Sequence, residues 1–283
     1  MTRRRFPVGK TLLYVFMSLW ALTTIYPFIW VILNSFKPRG LIRSDTFSLP
    51  IGDKFTLENY VTAFKRVDIG TAYVNSIVIS GAVTVVVMVL AGLAAYAMVR
   101  YSLRGFLHSM IIASMMFPVF STIIPVFRME SSWGIVNTGS IWLTRLSVVL
   151  PQIAGNLSFA IIVLMGFIRS LPVDLEEAAY LEGYNVYQIF FRIIMPLAKP
   201  SFATVGIFTF LWSYNDLFLQ MFFLRSKKFF TITRLLNEIS SQAGTNYGLM
   251  VAAVVMVVIP VLVVYIFLQN YIIKGMTAGA VKG

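Results

Sequence analysis

Six long apolar runs, at about residues 12–33, 73–99, 106–127, 146–168, 201–224 and 249–273, constrain this chain more than any other feature. Each reaches the roughly 20 residues that an α-helix needs to cross the hydrocarbon core of a bilayer. The expected fold is therefore all-α: a polytopic membrane protein with six transmembrane helices, forming one domain over residues 1–283. The composition agrees, because 58% of residues are hydrophobic and only 12% charged, which excludes an ordinary soluble domain of this length.

The first run follows Arg3, Arg4, Arg5 and Lys10. It is too long for a signal peptide and no small-residue cleavage pattern follows it, so it reads as a retained span. Gly9, Lys10 and Thr11 suggest a phosphate-binding loop, but the pattern needs glycine where Arg4 stands and a strand before it. No other ATP-binding signal is present. The absence of cysteine removes disulfide frameworks, thiolate metal sites and cysteine nucleophiles together. A net charge of +12 would suit nucleic acid, yet the basic residues are scattered over loops at span ends. There they serve lipid headgroup contact and topology, and no nucleic-acid partner is expected.

Small residues in the second run (Gly81, Ala91, Gly92, Ala94 and Ala95) allow a neighbouring helix to pack closely. Pro118 and Pro125 predict a kink or unwinding in the third run. Pro151, Gly155 and Asn156 suggest irregular backbone in the fourth. Leu57, Tyr60, Val61 and Phe64, after a capping Thr56, predict a short amphipathic helix at the membrane surface. Leu235, Leu236 and Ile239 predict a helical turn or two within the polar loop 225–248. Six spans place both termini on one side. With the termini inside, eleven of the 23 Lys and Arg would face the cytoplasm and twelve the exterior, so charge alone gives no clear orientation.

The longest polar interruption in the second half is 174–196. Four of the eleven acidic residues (Asp174, Glu176, Glu177 and Glu182) fall within nine positions of it. The spacing predicts two short helices joined at a turn. Pro172 suits a helix start, and carboxylates in the first turn oppose the positive end of the helix dipole. Gly183 is the expected stop, since a left-handed residue closing a helix costs least as glycine. Asn185 and Gln188 have the spacing of a capping box. Ile189, Phe190, Ile193 and Ile194 give the second helix an apolar side, and Pro196 should end it. Ala178, Ala179 and Gly183 leave little side chain on the first helix, so another protein could approach its backbone. A solvated acidic loop would share this composition.

The pattern Glu177, Ala178, Ala179, three residues, Gly183, nine residues, Ile193, one residue, Met195 and Pro196 resembles the EAA loop of ABC-importer permeases, with Met195 where the family has leucine. The segments 208–216 and 275–283 resemble the smaller (MalG-type) permease subunit of maltose-type carbohydrate importers, and the likeness runs from about Leu12 to the end. The resemblance implies an ABC type I importer permease fold in a bacterial plasma membrane, with both termini and the 174–196 loop cytoplasmic. It implies a transmembrane subunit importing a carbohydrate, most simply an oligosaccharide, with Glu177, Ala178, Ala179, Gly183, Ile193 and Pro196 coupling it to an ATPase. The implied partners are a second homologous permease, two ABC ATPases and an extracytoplasmic sugar-binding protein. The chain itself would be no enzyme and hold no cofactor, because ATP and Mg belong to the ATPases. A polyol or glycerol-phosphate importer is the nearest alternative.

Asp216, with Tyr214 and Asn215, lies inside an apolar run, where an acid costs about 2.5–3.5 kcal/mol and so should face protein or water. Together with Trp212, Asn75 and Asn156 it is a candidate lining for a sugar pathway, or else a helix–helix hydrogen bond. Ser76 beside Asn75 has the same two readings. By resemblance the 225–248 loop faces the binding protein, and Asn237, Gln242, Asn246 and Tyr247 are its candidate contacts. His108, the one histidine, suits snorkelling or capping rather than a metal site. Two other classes compete. A self-contained secondary transporter would carry mid-membrane charges and repeated broken helices. An intramembrane enzyme would need a nucleophile or metal set, and no such pattern is recognisable.

Overall fold

The computed structural model describes residues 8–66, 68–101, 105–244 and 246–280. Arg3, Arg4, Arg5, Arg104 and the side chain of Gln242 therefore lie outside the described residues. The helices in chain order are α1 (Val8–Ser35), α2 (Leu41–Ser44), α3 (Glu58–Arg66), α4 (Ile69–Arg100), α5 (Gly105–Met115), α6 (Val119–Ser132) and α7 (Ile141–Ile168). After these come α8 (Asp174–Leu181), α9 (Val186–Ile189), α10 (Met195–Leu197), α11 (Lys199–Asn215), α12 (Leu217–Phe223), α13 (Ile232–Ala243) and α14 (Tyr247–Ala280). No strand occurs among the described residues.

Four helical stretches, Gly9–Ser35, Ile69–Arg100, Ile141–Ile168 and Tyr247–Phe267, are long and apolar enough to cross a membrane. Two bent helix pairs bring the number to six if each pair is one span. The bend between α5 and α6 meets the expectation from Pro118, which caps α6 in extended conformation. Two expectations are corrected. The fifth run is not one helix: it breaks at Asp216, between α11 and α12. The fourth is unbroken, because α7 carries Pro151 inside it. One proline costs one backbone bond and can kink a helix without ending it. Downstream, Asn156 Nδ2 bonds the Gln152 carbonyl at 2.7 Å on the same helix.

The described residues divide into two compact units, Met1–Val67 with Leu236–Ile259, and Asp68–Leu235 with Pro260–Gly283. In the first, polar groups tie the segment after α1 together. Asn59 Nδ2 donates to the carbonyls of Ser35 (2.9 Å) and Lys37 (2.8 Å), and Lys37 Nζ donates to those of Asp45 (3.0 Å) and Thr46 (2.9 Å). The predicted surface helix forms as α3, with Leu57, Val61 and Phe64 exposed and Asn59 and Ala63 buried. The predicted turn or two in the 225–248 loop is a full helix, α13.

In the second unit α4 is the hub, packing against α7 and α11. Ile79, Val83, Val87, Ala91 and Ala95 recur every fourth residue, the spacing of one ridge on a helix, and all are buried. The small residues expected to admit a neighbour do so at the far end of this ridge. A Cβ on Gly92 would stand 2.7 Å from Phe202 Cζ and 2.9 Å from Phe190 Cζ, whereas one on Gly81 would meet nothing within 4 Å. Gly92→Leu should therefore lower the thermal midpoint of the purified protein, because overpacking of this kind costs about 1–3 kcal/mol. Gly81→Leu should leave the midpoint near wild type. Equal shifts would contradict this account of the α4 seam.

Candidate functional site

At the end of α4 and α7 the chain folds into a helical knuckle, α8 and α9 joined by a turn at Gly183. Asp174, Glu176 and Glu177 occupy the first turn of α8. Pro172 stands two positions before the helix rather than in its first turn. Gly183 adopts φ +87°, and the N–H of Tyr184 bonds back to the Ala179 carbonyl at 3.0 Å. This is a glycine stop of the kind expected. The capping box is also present: Asn185 Oδ1 accepts from Gln188 N and Gln188 Oε1 accepts from Asn185 N, each at 2.9 Å. Pro196 does not end the second helix. The chain passes from α9 through a π-helical stretch, Phe190–Ile194, into α10 and turns by 82° only at Ala198. A π turn, with its wider ring, is rare and occurs frequently at functional sites.

One carboxylate of the acidic cluster is not solvated. Glu176 is only 4% exposed. Its Oε1 accepts from Arg100 Nε at 2.6 Å and its Oε2 from the Tyr96 hydroxyl at 2.8 Å. Arg100 Nη2 also donates to the Leu171 carbonyl at 3.2 Å, just past the end of α7. One guanidinium thus joins the last turn of α4, the end of α7 and the first turn of α8. Tyr101 and Tyr180 add a hydroxyl–hydroxyl contact at 3.2 Å, which pushes the Tyr101 phenol up to about 12. Below the ion pair, Ile189, Phe190 and Ile194 are buried as predicted, and Phe190 packs against Tyr96 and Phe202.

The other side of the knuckle is open. Leu181 is 91% and Tyr187 69% exposed, with Leu175 and Tyr180 beside them half-exposed. Glu177, Ala178 and Gly183 are exposed, Ala179 is buried, Ile193 is half-buried and Pro196 exposed. A Cβ on Gly183 would meet nothing of this chain within 4 Å. The knuckle is thus a rigid element with an unpartnered apolar crown, anchored by a buried ion pair.

The other candidates are dispersed. Asp216 caps α12, its Oδ1 accepting from Leu219 N at 3.1 Å, and its Oδ2 accepts from Gln152 Nε2 of α7 at 3.0 Å. Gln152 Oε1 accepts from Ser213 Oγ at 2.6 Å, and Gln220 bonds both the Ser213 carbonyl and Thr231. Asn75 Nδ2 donates to the carbonyls of Lys228 and Phe230 and its Oδ1 accepts from Arg145. Ser76 Oγ accepts from Ile232 N at 2.8 Å. Asn156 and Tyr214 are buried, while Trp212 and Asn215 are exposed. Trp212 packs edge-on against Phe159 at 4.8 Å. Sequence reasoning did not single out Gln152 and Ser213. It also missed a cavity of about 340 Å³ lined by Ser114, Thr122, Pro151, Gly155 and Ser158, among others. Asn246 caps α14 through Leu249 N, and Tyr247 is exposed. Among the described residues no group of His, Cys, Asp and Glu is arranged to hold a metal ion.

Residues 88–278 match the family of binding-protein-dependent transport system inner membrane components. The chain is 33% identical to the diacetylchitobiose uptake system permease protein NgcG of Streptomyces coelicolor, over 95% of this chain and 88% of that protein. It is 30% identical to the arabinooligosaccharides transport system permease protein AraQ of Halalkalibacterium halodurans, over the whole of both. In structure it matches a chain of a bacterial ABC transporter that imports the acidic polysaccharide alginate. The TM-score is 0.80 with 24% identity, covering 96% of this chain and 99% of that one. The fold is that of an ABC type I importer permease, as the sequence led us to expect.

Proposed function

Because the chain belongs to the family of binding-protein-dependent transport system inner membrane components, we propose that it is one transmembrane subunit of an ATP-driven importer for an oligosaccharide. The relatives named for diacetylchitobiose and for arabinooligosaccharides support a carbohydrate over a polyol or glycerol-phosphate. The subunit works with a second homologous permease, two cytoplasmic ATPases and an extracytoplasmic sugar-binding protein. ATP and Mg are held by the ATPases, and this chain performs no hydrolysis. Its termini and its knuckle face the cytoplasm of a bacterium.

The observation that carries this reading is the pairing of an apolar crown with a buried anchor. The crown offers Leu181 and Tyr187 to a cleft in an ATPase, and Glu177, Ala178, Ala179 and Gly183 let that surface come close. Ile193 and Pro196 set the course of the chain into α11. When the ATPases close, the knuckle moves with them and Arg100 carries that displacement to α4 and α7. The spans then exchange an inward-open for an outward-open pathway. Such an exchange needs each ligand to bind the two states with different affinity. Of the pathway candidates, Trp212 and Asn215 are free to face a sugar, while Asn75 and Asp216 tie neighbouring segments together and Asn156 and Tyr214 are buried. Asn237, Gln242, Asn246 and Tyr247 belong to the stretch that meets the binding protein.

The test is reconstitution. Proteoliposomes containing both permeases and the ATPases should accumulate a labelled oligosaccharide only with the binding protein outside and ATP inside. Uptake by this polypeptide alone, without ATP, would instead support a self-contained secondary transporter.

A further inference from the structure

A second polar site lies at the opposite end of α7 from the knuckle. That helix has 28 residues and so is about 42 Å long, more than the roughly 30 Å of a bilayer's hydrocarbon core. Around its first turn, the loop after α6 and the segment after α12 enclose a cavity of about 360 Å³, lined by Asn137, Thr144, Arg225, Ser226, Lys228 and Phe229, among others. The loop is shaped by three left-handed residues, Gly134 (φ 72°), Asn137 (φ 58°) and Gly139 (φ 76°).

Two features mark this cavity as built for a ligand. Thr144 lines the cavity and is 2% exposed, and its hydroxyl has no hydrogen-bond partner. A buried polar group without a partner is costly. The cavity also carries cations with no counter-charge. Neither Arg225 nor Lys228 forms an ion pair with a carboxylate of the described residues. Each is instead held over a ring, the Arg225 guanidinium 5.1 Å from the centre of Phe127 and Lys228 Nζ 4.6 Å from that of Phe229. The segment bearing them is fixed from below, since Asn75 holds the Lys228 and Phe230 carbonyls and Arg145 holds Asn75.

We propose that this cavity receives an acidic side chain of the sugar-binding protein, whose carboxylate lies between Arg225 and Lys228 and accepts the Thr144 hydroxyl. The inference rests on the importer reading, which supplies the partner and the outward orientation. A protein carboxylate fits better than a free sugar acid because both cations are exposed at the mouth. Charges so placed steer the encounter of two protein surfaces and fix their register.

The experiment uses the whole reconstituted importer with the binding protein that stimulates its ATPase. A zero-length carbodiimide joins an amine to a carboxylate touching it, so peptide mapping should find an isopeptide bond from Lys228 to an Asp or Glu of the binding protein. Lys228→Arg keeps the charge but carries no amine, so that bond should be lost. Arg225→Glu with Lys228→Glu should raise the binding-protein concentration for half-maximal stimulation about tenfold, with the maximum unchanged. The milder Arg225→Gln with Lys228→Gln should shift it in the same direction if the reversal prevents assembly. Stimulation curves of both pairs lying on wild type would overturn the inference and leave the importer reading intact. So would free glucuronate alone protecting Lys228 from acylation. A wild-type complex whose ATPase ignores every binding protein would remove both.

Discussion

Glu176→Ala in the assembled importer is expected to cut sugar uptake and binding-protein-stimulated ATPase activity by more than tenfold, although the subunit still inserts. The substitution leaves Arg100 largely buried with no carboxylate beside it. Removing one partner of a buried pair typically costs about 3–5 kcal/mol. That cost falls where α8 is fastened to α4 and α7, so the knuckle should still meet its ATPase but no longer drag the spans. Glu176→Leu combined with Arg100→Leu separates stability from transmission. Well-packed apolar residues can replace a buried pair at little cost, so the double variant should recover much of the lost thermal stability. Recovered stability with uptake still absent is the expected result. Full recovery of uptake would show that the ion pair only holds the fold.

Gly183→Asp should abolish stimulated ATPase activity and uptake while leaving membrane insertion intact. Two causes are available and can be told apart. The left-handed backbone at φ +87° costs a non-glycine residue about 1–2 kcal/mol. The side chain itself finds open space within this chain. Asparagine adopts the left-handed conformation more readily than other side chains. If strain were the whole cause, Gly183→Asn would be nearly wild type. If a partner's surface lies against this backbone, Asn should be as damaging as Asp, and that is the outcome expected here. Assays of both variants with matched expression decide between them.

Much of this was legible in the sequence wherever the information is local. The apolar runs, the glycine stop at 183, the Asn185–Gln188 cap and the apolar side from Ile189 to Ile194 each depend on residues within a turn or two of one another. The anchor was not legible. Glu176 and Arg100 stand 76 positions apart, and nothing near either residue distinguishes it from a solvated charge. Their pairing exists only because α4 and α7 end together beside α8. The Asp216 break was half legible, since three adjacent polar residues in an apolar run signalled a problem but not its solution. Gln152 supplies that solution from α7, four residues before Asn156 on the same helix, and this polar i, i+4 pair was the available clue. Pro151 misled in the opposite direction, because a proline signals a lost backbone bond and not a broken helix. The π-helical stretch through Phe190–Ile194 has no sequence signature that would have replaced the expected end at Pro196.

In the importer proposed above, force enters this subunit from a cytoplasmic motor through the crown of the knuckle. The chain contains no cysteine, so Leu181→Cys creates a unique thiol at its most exposed point. Labelling with a membrane-impermeant maleimide in oriented vesicles tests the claim directly. The expected result is reaction only from the cytoplasmic face, with protection when the ATPases are bound. Reaction from the outer face, or no protection by bound ATPases, would contradict it.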